Sequence, residues 1–328
     1  MPALAVRQTS FAQGASPIPS WKTELRQLAP GIFAYIQGGG PAGEFAGESN
    51  AGLIVGPNSM MAVDSLQGPL ITKAFLAAAK QAAPGKAFDR LVYTHHHGDH
   101  IDGAPYFMPV QIIGTEYCRK TVQAMAPLPK WEKHEGWAEG GEDHTRIPPG
   151  TILEKKLTYD YGDIPVELLE VAPAHTFGDL VVYLPEQKVL FAGDVGFTYI
   201  APYAHWAHIT KWIEAIDRIL ALDVNVIVPG HGPLGGKKEL AETRAYLDLF
   251  KREARKRFDD GMTPGKAAAS MWNRKVMGRF DSWRGADDRL PMNMVRAFHE
   301  FRGTLHPDMD GKGTDDATKE FHALVAQR

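Results

Sequence analysis

The sequence predicts a layered α/β protein with a helical C-terminal part, and three observations carry that expectation. Short apolar runs bounded by glycine and proline recur between residues 32 and 228, and in the middle of the chain they alternate with helical patterns. The first three runs follow one another with only loops between them, which is the start of an antiparallel meander. From Lys237 onward the pattern is helical alone.

Taken in order, residues 1–20 mix Ala, Ser, Pro, Gln and Gly and read as a loose arm. Strands at 32–36 and 52–55 flank a glycine-rich loop, 38–47, long enough to lie over a site as a flap or to serve as a plain connection. The turn Gly56-Pro57-Asn58 leads into a third strand at 60–64. Residues 70–83 have helical spacing, ended by Pro84-Gly85. Leu91-Val92 is a buried strand, followed by a short helix at 104–107, a strand at 110–113 and a helix at 115–126. Residues 127–150 turn to Pro, Gly, Trp and charge and read as an insertion or lid. Trp131 and Trp137 there suit the wall of an apolar pocket or the anchoring of the loop itself, and His134 and His144 have no ligand spacing. A strand at 166–171, a hairpin of 180–184 with 189–192, a helix at 209–222 and a buried strand at 225–228 follow. Helices are expected at 239–258, 263–272 and 292–301, with a loose stretch at 307–319 before a short terminal helix. The chain divides into an arm (1–20), a catalytic domain (21–235) and a helical extension (236–328) that packs on it and closes the pocket or forms a homodimer.

The chemistry-bearing residues sit where the strands end. The run Tyr93-Thr94-His95-His96-His97-Gly98-Asp99-His100 carries an H-x-H-x-D-H spacing. In extended chain, residues two apart point the same way, so His95 and His97 converge while His96 points away. Where Gly98 lets the chain turn, Asp99 and His100 face a second ion. Imidazoles with one carboxylate suit zinc, and less exclusively iron or manganese. One segment cannot complete such a site, and His175, Asp194 and His231 are offered at later strand ends beside glycine-bearing turns. Asp64, also at a strand end, fits the support of a ligand or the capping of the next segment. The loop 197–207, with Tyr199, Tyr203, His205 and Trp206, follows Asp194 and forms one wall of the pocket.

Composition removes several classes of function. A net charge of -3 without a basic run argues against a nucleic-acid or anionic-membrane partner. The single cysteine, Cys118, excludes an internal disulfide framework and a thiolate metal site and fits a buried bystander. No apolar run approaches the ~20 residues that cross a bilayer. Residues 1–20 lack the apolar core of a secretory signal, so a cytoplasmic location is expected, or a periplasmic or secreted one if a signal was trimmed.

Together, His95, His97, Asp99, His100, His175, Asp194 and His231 resemble, in order and local setting, the ligand pattern of the metallo-β-lactamase-fold hydrolase superfamily. The resemblance covers roughly residues 30–235. It implies an αβ/βα sandwich with metals at one edge between two sheets. It also implies that His95, His97 and His175 hold a first metal and Asp99, His100 and His231 a second, with Asp194 bridging. The full set is similar to the glyoxalase II, lactonase and phosphotriesterase-like branches. The stretch 175–185 is more similar to some zinc β-lactamases, although true β-lactamases in general lack the bridging aspartate.

Two divalent ions ~3.5 to 4 Å apart can share a water, lower its pKa towards ~7 and aim the resulting hydroxide at an electrophile. The expected function is therefore a dinuclear zinc hydrolase of a small ester, lactone, thioester or amide. Asp99 would also receive a proton, and Tyr199 or Tyr203 would donate to the oxyanion. The alternatives weighed are β-lactam hydrolysis, iron-dependent redox chemistry on the same fold, and a non-catalytic binding module.

Overall fold

The computed structural model describes residues 21–38, 49–125, 145–307 and 313–326. The arm 1–20, nearly all of the expected flap with Phe45, and the lid residues Trp131, His134, Trp137 and His144 lie outside the described residues.

Period-2 alternation builds the two sheets. In β2 (Ile32–Ile36), Ile32, Ala34 and Ile36 enter one buried cluster while Tyr35 enters another. In β10 (Leu180–Leu184), Leu180, Val182 and Leu184 join that first cluster, and Val181 and Tyr183 face the opposite way. Strands buried on both faces must be covered on both, which gives four layers.

The first sheet runs in sequence order. β1 (Glu24–Ala29), β2, β3 (Ala51–Val55) and β4 (Ser59–Val63) form the antiparallel meander. β5 (Ala87–Val92), β6 (Gln111–Thr115) and β7 (Thr151–Leu153) then add in parallel. The second sheet has the order β12-β11-β10-β9-β8, with β8 (Lys156–Asp160), β9 (Pro165–Glu170), β11 (Val189–Phe197) and β12 (Val226–His231). Its one parallel pair, β11 with β12, is joined through α4 (Ile209–Leu220). A Cβ on Gly52 of β3 would lie 2.5 Å from the Phe191 ring of β11, so the ring packs directly on the β3 backbone and joins the two sheets there.

The outer layers are helical. α1 (Gly68–Ala82) and α3 (Glu116–Ala124), the latter capped by the Thr115 side chain, cover the first sheet with Phe75 and Val122. Between them lie the one-turn α2 (Gly98–Ile101) and a 3₁₀ turn at Ala104–Phe107. α4 buries Ile209, Trp212, Ala215, Ile216 and Ile219 as one helical stripe against the second sheet.

The C-terminal helices are α5 (Lys237–Asp259), α6 (Pro264–Asn273), α7 (Ala286–Arg302) and α8 (Thr314–Val325). Their Phe250, Met294, Phe298 and Phe321 share a single apolar cluster with Val181 and Leu190 of the second sheet and Trp212 of α4. Two expectations are corrected here. α7 begins six residues before the expected start at 292, because Pro291 sits inside the helix and burial of Leu290, Met294 and Phe298 outweighs its missing backbone bond. The stretch expected to be loose through 319 is helical from Thr314, since Ala317 and Phe321 bury themselves against α6. β1, β7 and β8 were not anticipated.

Candidate metal centre

The site lies at one edge of the sandwich where β4, β5 and β12 end, while β11 runs on to Phe197 and so carries Asp194 inside the strand rather than at the expected strand end. β5 delivers Thr94, His95 and His97, and the turn of α2 then carries Asp99 and His100. His175 follows β9 on a loop held by Asp179, which accepts from the Thr176 amide at 2.7 Å and its hydroxyl at 2.8 Å. Asp194 lies within β11, and His231 ends β12.

All seven residues expected as ligands converge, in two groups. One holds His95, His97, His175 and Asp194, the other Asp99, His100 and His231. In the first, His97 Nδ1 lies 3.0 Å from His95 Nε2 and 2.9 Å from His175 Nε2. Donors about 2.0–2.1 Å from one tetrahedral ion are separated by roughly 3.3 Å, so this spacing suits a shared cation. Asp194 joins the groups. Its Oδ2 is 3.3 Å from His175 Nε2, while its Oδ1 is 3.1 Å from His100 Nε2 and 3.2 Å from His231 Nε2. Asp99 Oδ2 stands 3.2 Å from His231 Nε2. His100 Nε2 and Asp194 Oδ1 are buried with no hydrogen-bond partner of good geometry among the described residues, which fits donors directed at an ion.

Supporting contacts fix these side chains. Asp64 is buried, with a left-handed backbone of φ 62°, and accepts from the Thr94 amide and hydroxyl, each at 2.8 Å. Its other contact is His100 Nδ1 at 2.8 Å, which orients that ring and makes Asp64 a support rather than only a cap. Arg146 grips Asp102 through two bonds of 2.8 and 3.2 Å and steadies the α2 turn. Asn50 donates to the carbonyls of Pro229 and Gly232, holding the turn that presents His231. The Ser49 hydroxyl donates to the Asp99 carbonyl.

Burial and charge sort the group into two protonation patterns. Burial drives His95 well down, His97 to about 4 and His175 to about 3, leaving neutral imidazoles with lone pairs to offer. Burial also opposes charge on His100 and His231, but carboxylates outweigh it. Asp194, Asp99 and Asp64 raise His100, and Asp194 and Asp99 bring His231 to about 9. The same pairs, working against burial, hold Asp99 down to about 2 and Asp194 well below its ordinary range.

A pH profile for the metal-free protein follows. His97 and His175 bind fewer protons folded than unfolded between about 3 and 6.5, so stability rises with pH there. Burial lifts Asp179 to about 7, which offsets part of that rise. His231, raised to about 9, contributes stability fully present below 6.5 and lost as pH climbs through 9. Thermal unfolding of chelator-treated protein is therefore expected to peak near pH 6.5, and a flat profile from pH 5 to 9 would contradict these assignments.

A cavity of about 1090 Å³ opens over the groups. His97, Asp99, Asp194 and His231 form its floor, and Phe197, Tyr203 and Trp206 one wall. Tyr203 thus stands where the sequence reading placed it. Tyr199 does not line the cavity: its φ of 57° turns the chain, its carbonyl accepts from the Arg284 amide, and its ring packs towards Trp283. Phe177, two residues after His175, sits beside Tyr117 and outside the lining. Cys118 is buried under the first sheet, its thiol pushed far up by burial.

A further wall fits the expectation that the helical extension closes the pocket, but its residues were not anticipated. It comes from α7, whose Asp288, Arg289 and Met292, together with the preceding Gly285, line the cavity at positions i, i+3, i+4 and i+7 of one helical stripe. α7 also holds the aromatic loop. Asn293 accepts from the Ala204 amide and donates to the Pro202 carbonyl, Arg296 donates to Ala207 and Trp206, and Glu300 accepts from the Ile209 and Thr210 amides.

Residues 45–231 match the model of the metallo-beta-lactamase superfamily. The chain is 28% identical over 184 residues to the 2,4-dinitroanisole O-demethylase subunit alpha of Nocardioides sp., covering 54% of this chain and 51% of that protein. It is 24% identical over 253 residues to a linear primary-alkylsulfatase of Pseudomonas sp., covering 65% and 48%. The chain thus spans about half the length of these curated relatives. A solved sec-alkylsulfatase from Pseudomonas sp. shares the fold with a TM-score of 0.64 at 18% identity, over 88% of this chain and 52% of that one. The two sheets flanked by helices, the His/Asp groups at their edge and the match over more than half its length show that this chain belongs to the metallo-beta-lactamase superfamily.

Proposed function

We propose that this chain is a dinuclear zinc hydrolase that cleaves a small ester-, lactone-, thioester- or amide-type substrate. The observation that supports it most directly is the division of the two Asp194 oxygens between the two converging groups, so that one carboxylate serves both. His95, His97 and His175 would hold one ion, Asp99, His100 and His231 the other. When bound there, divalent ions would supply a water of lowered pKa and polarisation of the carbonyl under attack.

The chain's own residues do the rest. Asp99 stays ionised at neutral pH, and its side chain is 24% exposed to the cavity against 4% for Asp194. It is the carboxylate placed to take a proton as the tetrahedral adduct collapses. Burial raises the Tyr203 phenol above its ordinary value, so it remains protonated and able to donate to the developing oxyanion. Phe197, Trp206 and Met292 offer apolar surface to the non-reacting part of the substrate. The names of the two relatives, an alkylsulfatase and an O-demethylase, are compatible with breaking a bond to oxygen on an apolar group.

The test is metal analysis of protein purified without added metal, together with a panel of lactones, aryl esters, thioesters, β-lactams and sulfate esters. Two zinc ions per chain and turnover of one class, abolished by chelation and restored by zinc, are expected. Iron with oxygen consumption would move the reading to redox chemistry. Loss of neither activity nor metal on chelation would overturn it.

A further inference from the structure

We propose that Arg289, delivered from the C-terminal helical part, anchors an anionic group on the substrate, so that the preferred substrates are amphiphilic anions with an apolar remainder. This deepens the hydrolase reading and rests on it for the word substrate. It does not rest on it for the binding of the anion.

Arg289 lines the same cavity as Asp99, Asp194 and His231 and lies close enough to feel the charge of both carboxylates. Its guanidinium is held in place from two sides. Nη1 donates to the Ala201 carbonyl, and the guanidinium carbon lies 5.7 Å from the Phe197 ring centroid and 5.9 Å from that of Tyr203. A cation fixed over aromatic faces has lost most of its rotamer freedom before a ligand arrives, which favours recognition of a planar anion.

The surroundings set the rest of the ligand. Met292 stands three residues beyond Arg289 on the same stripe, and Met125 and Trp206 line the cavity elsewhere. Arg146, also in the lining, forms an ion pair with the Asp102 carboxylate, which neutralises its charge. Asp288 lies at the exposed rim of the stripe, where a carboxylate is screened by water. An anion with an alkyl or aryl tail therefore meets fixed positive charge at one point and apolar surface around it. Arg289 lies outside residues 45–231, so the selectivity it confers belongs to the helical part of this chain and not to the region the family model matches.

The test compares octanoate with octanamide by titration calorimetry on the metal-loaded protein, in wild type and in Arg289→Met and Arg289→Lys. Wild type is expected to bind octanoate at least about ten-fold tighter than octanamide, as one charge-assisted contact would give. Arg289→Met is expected to erase that ratio at unchanged metal content, and Arg289→Lys to restore part of it. An unaltered ratio in Arg289→Met, equal weakening of both probes, or no preference in wild type would overturn the assignment. If Arg289→Met does not fold, the lysine variant and the wild-type ratio at low and high salt carry the same decision. A matched pair of esters, 4-nitrophenyl butyrate and mono-4-nitrophenyl glutarate, separates the two readings. Anion preference in binding with neither ester cleaved removes the hydrolase reading and leaves Arg289 standing. Cleavage of both at a ratio that Arg289→Met leaves unchanged does the reverse.

Discussion

Replacing Asp194 by asparagine is expected to lower kcat/KM on any substrate the wild type cleaves by about 10³-fold or more, roughly 4 kcal/mol of transition-state stabilisation. The residue is buried at the join of the two groups, with one oxygen directed at His175 and the other at His100 and His231. Asparagine keeps the shape but loses the charge and one of the two acceptors, so it can serve at most one group. The charge matters beyond coordination, because the Asp194 carboxylate is the leading influence that lifts His100 and His231 against burial. Metal content should fall from two ions towards one, with the circular dichroism of the folded protein retained. A folded Asp194→Asn variant with two ions and full activity would sink the bridging role.

The converging set was legible because each member combines a chemical type with a local position that sequence can express. His95, His97, Asp99 and His100 are spaced within one strand-to-turn segment, and His231 is announced by Pro229-Gly230-His231-Gly232. Convergence of His175 and Asp194 with them came from resemblance, since nothing local joins residues 175, 194 and 231. Tyr199 and Tyr203 show the limit. They lie four residues apart in one aromatic loop, yet a left-handed backbone at Tyr199 sends its ring to Trp283 while Tyr203 reaches the cavity. The wall built by Gly285, Asp288, Arg289 and Met292 was illegible for a different reason. Pro291 masked the start of α7, and even a correct helix would have shown a stripe without showing what it faces. Asn50 was silent as well, because its bonds to Pro229 and Gly232 span about 180 residues of chain.

Gly230 is where fold and site are most tightly coupled, and Gly230→Ala is the second variant expected to have a large effect. A Cβ there would lie 1.9 Å from Asp194 Oδ1, 2.7 Å from the Gly193 carbonyl carbon and 2.8 Å from the Asp194 amide nitrogen. Two of those three neighbours are backbone of β11, which cannot swing aside as a side-chain tip can. Nor is β12 free to retreat, because the Asn50 amide donates to the Gly230 carbonyl at 2.7 Å and the Asn50 side chain grips Pro229 and Gly232 on either side. One methyl group must therefore move either the carboxylate or the strand pair. Overpacking of this kind costs about 1–3 kcal/mol, readable by urea unfolding, and the displaced carboxylate should bring the metal loss and activity loss expected for Asp194→Asn. Gly85→Ala separates the two causes. Its φ of +80° strains an alanine by about 1–2 kcal/mol, but a Cβ there meets nothing within 4 Å, so stability should fall with activity and metal content unchanged. If Gly230→Ala instead behaved like Gly85→Ala, losing only stability, the close approach of β12 to Asp194 would not be what holds the carboxylate between the two groups.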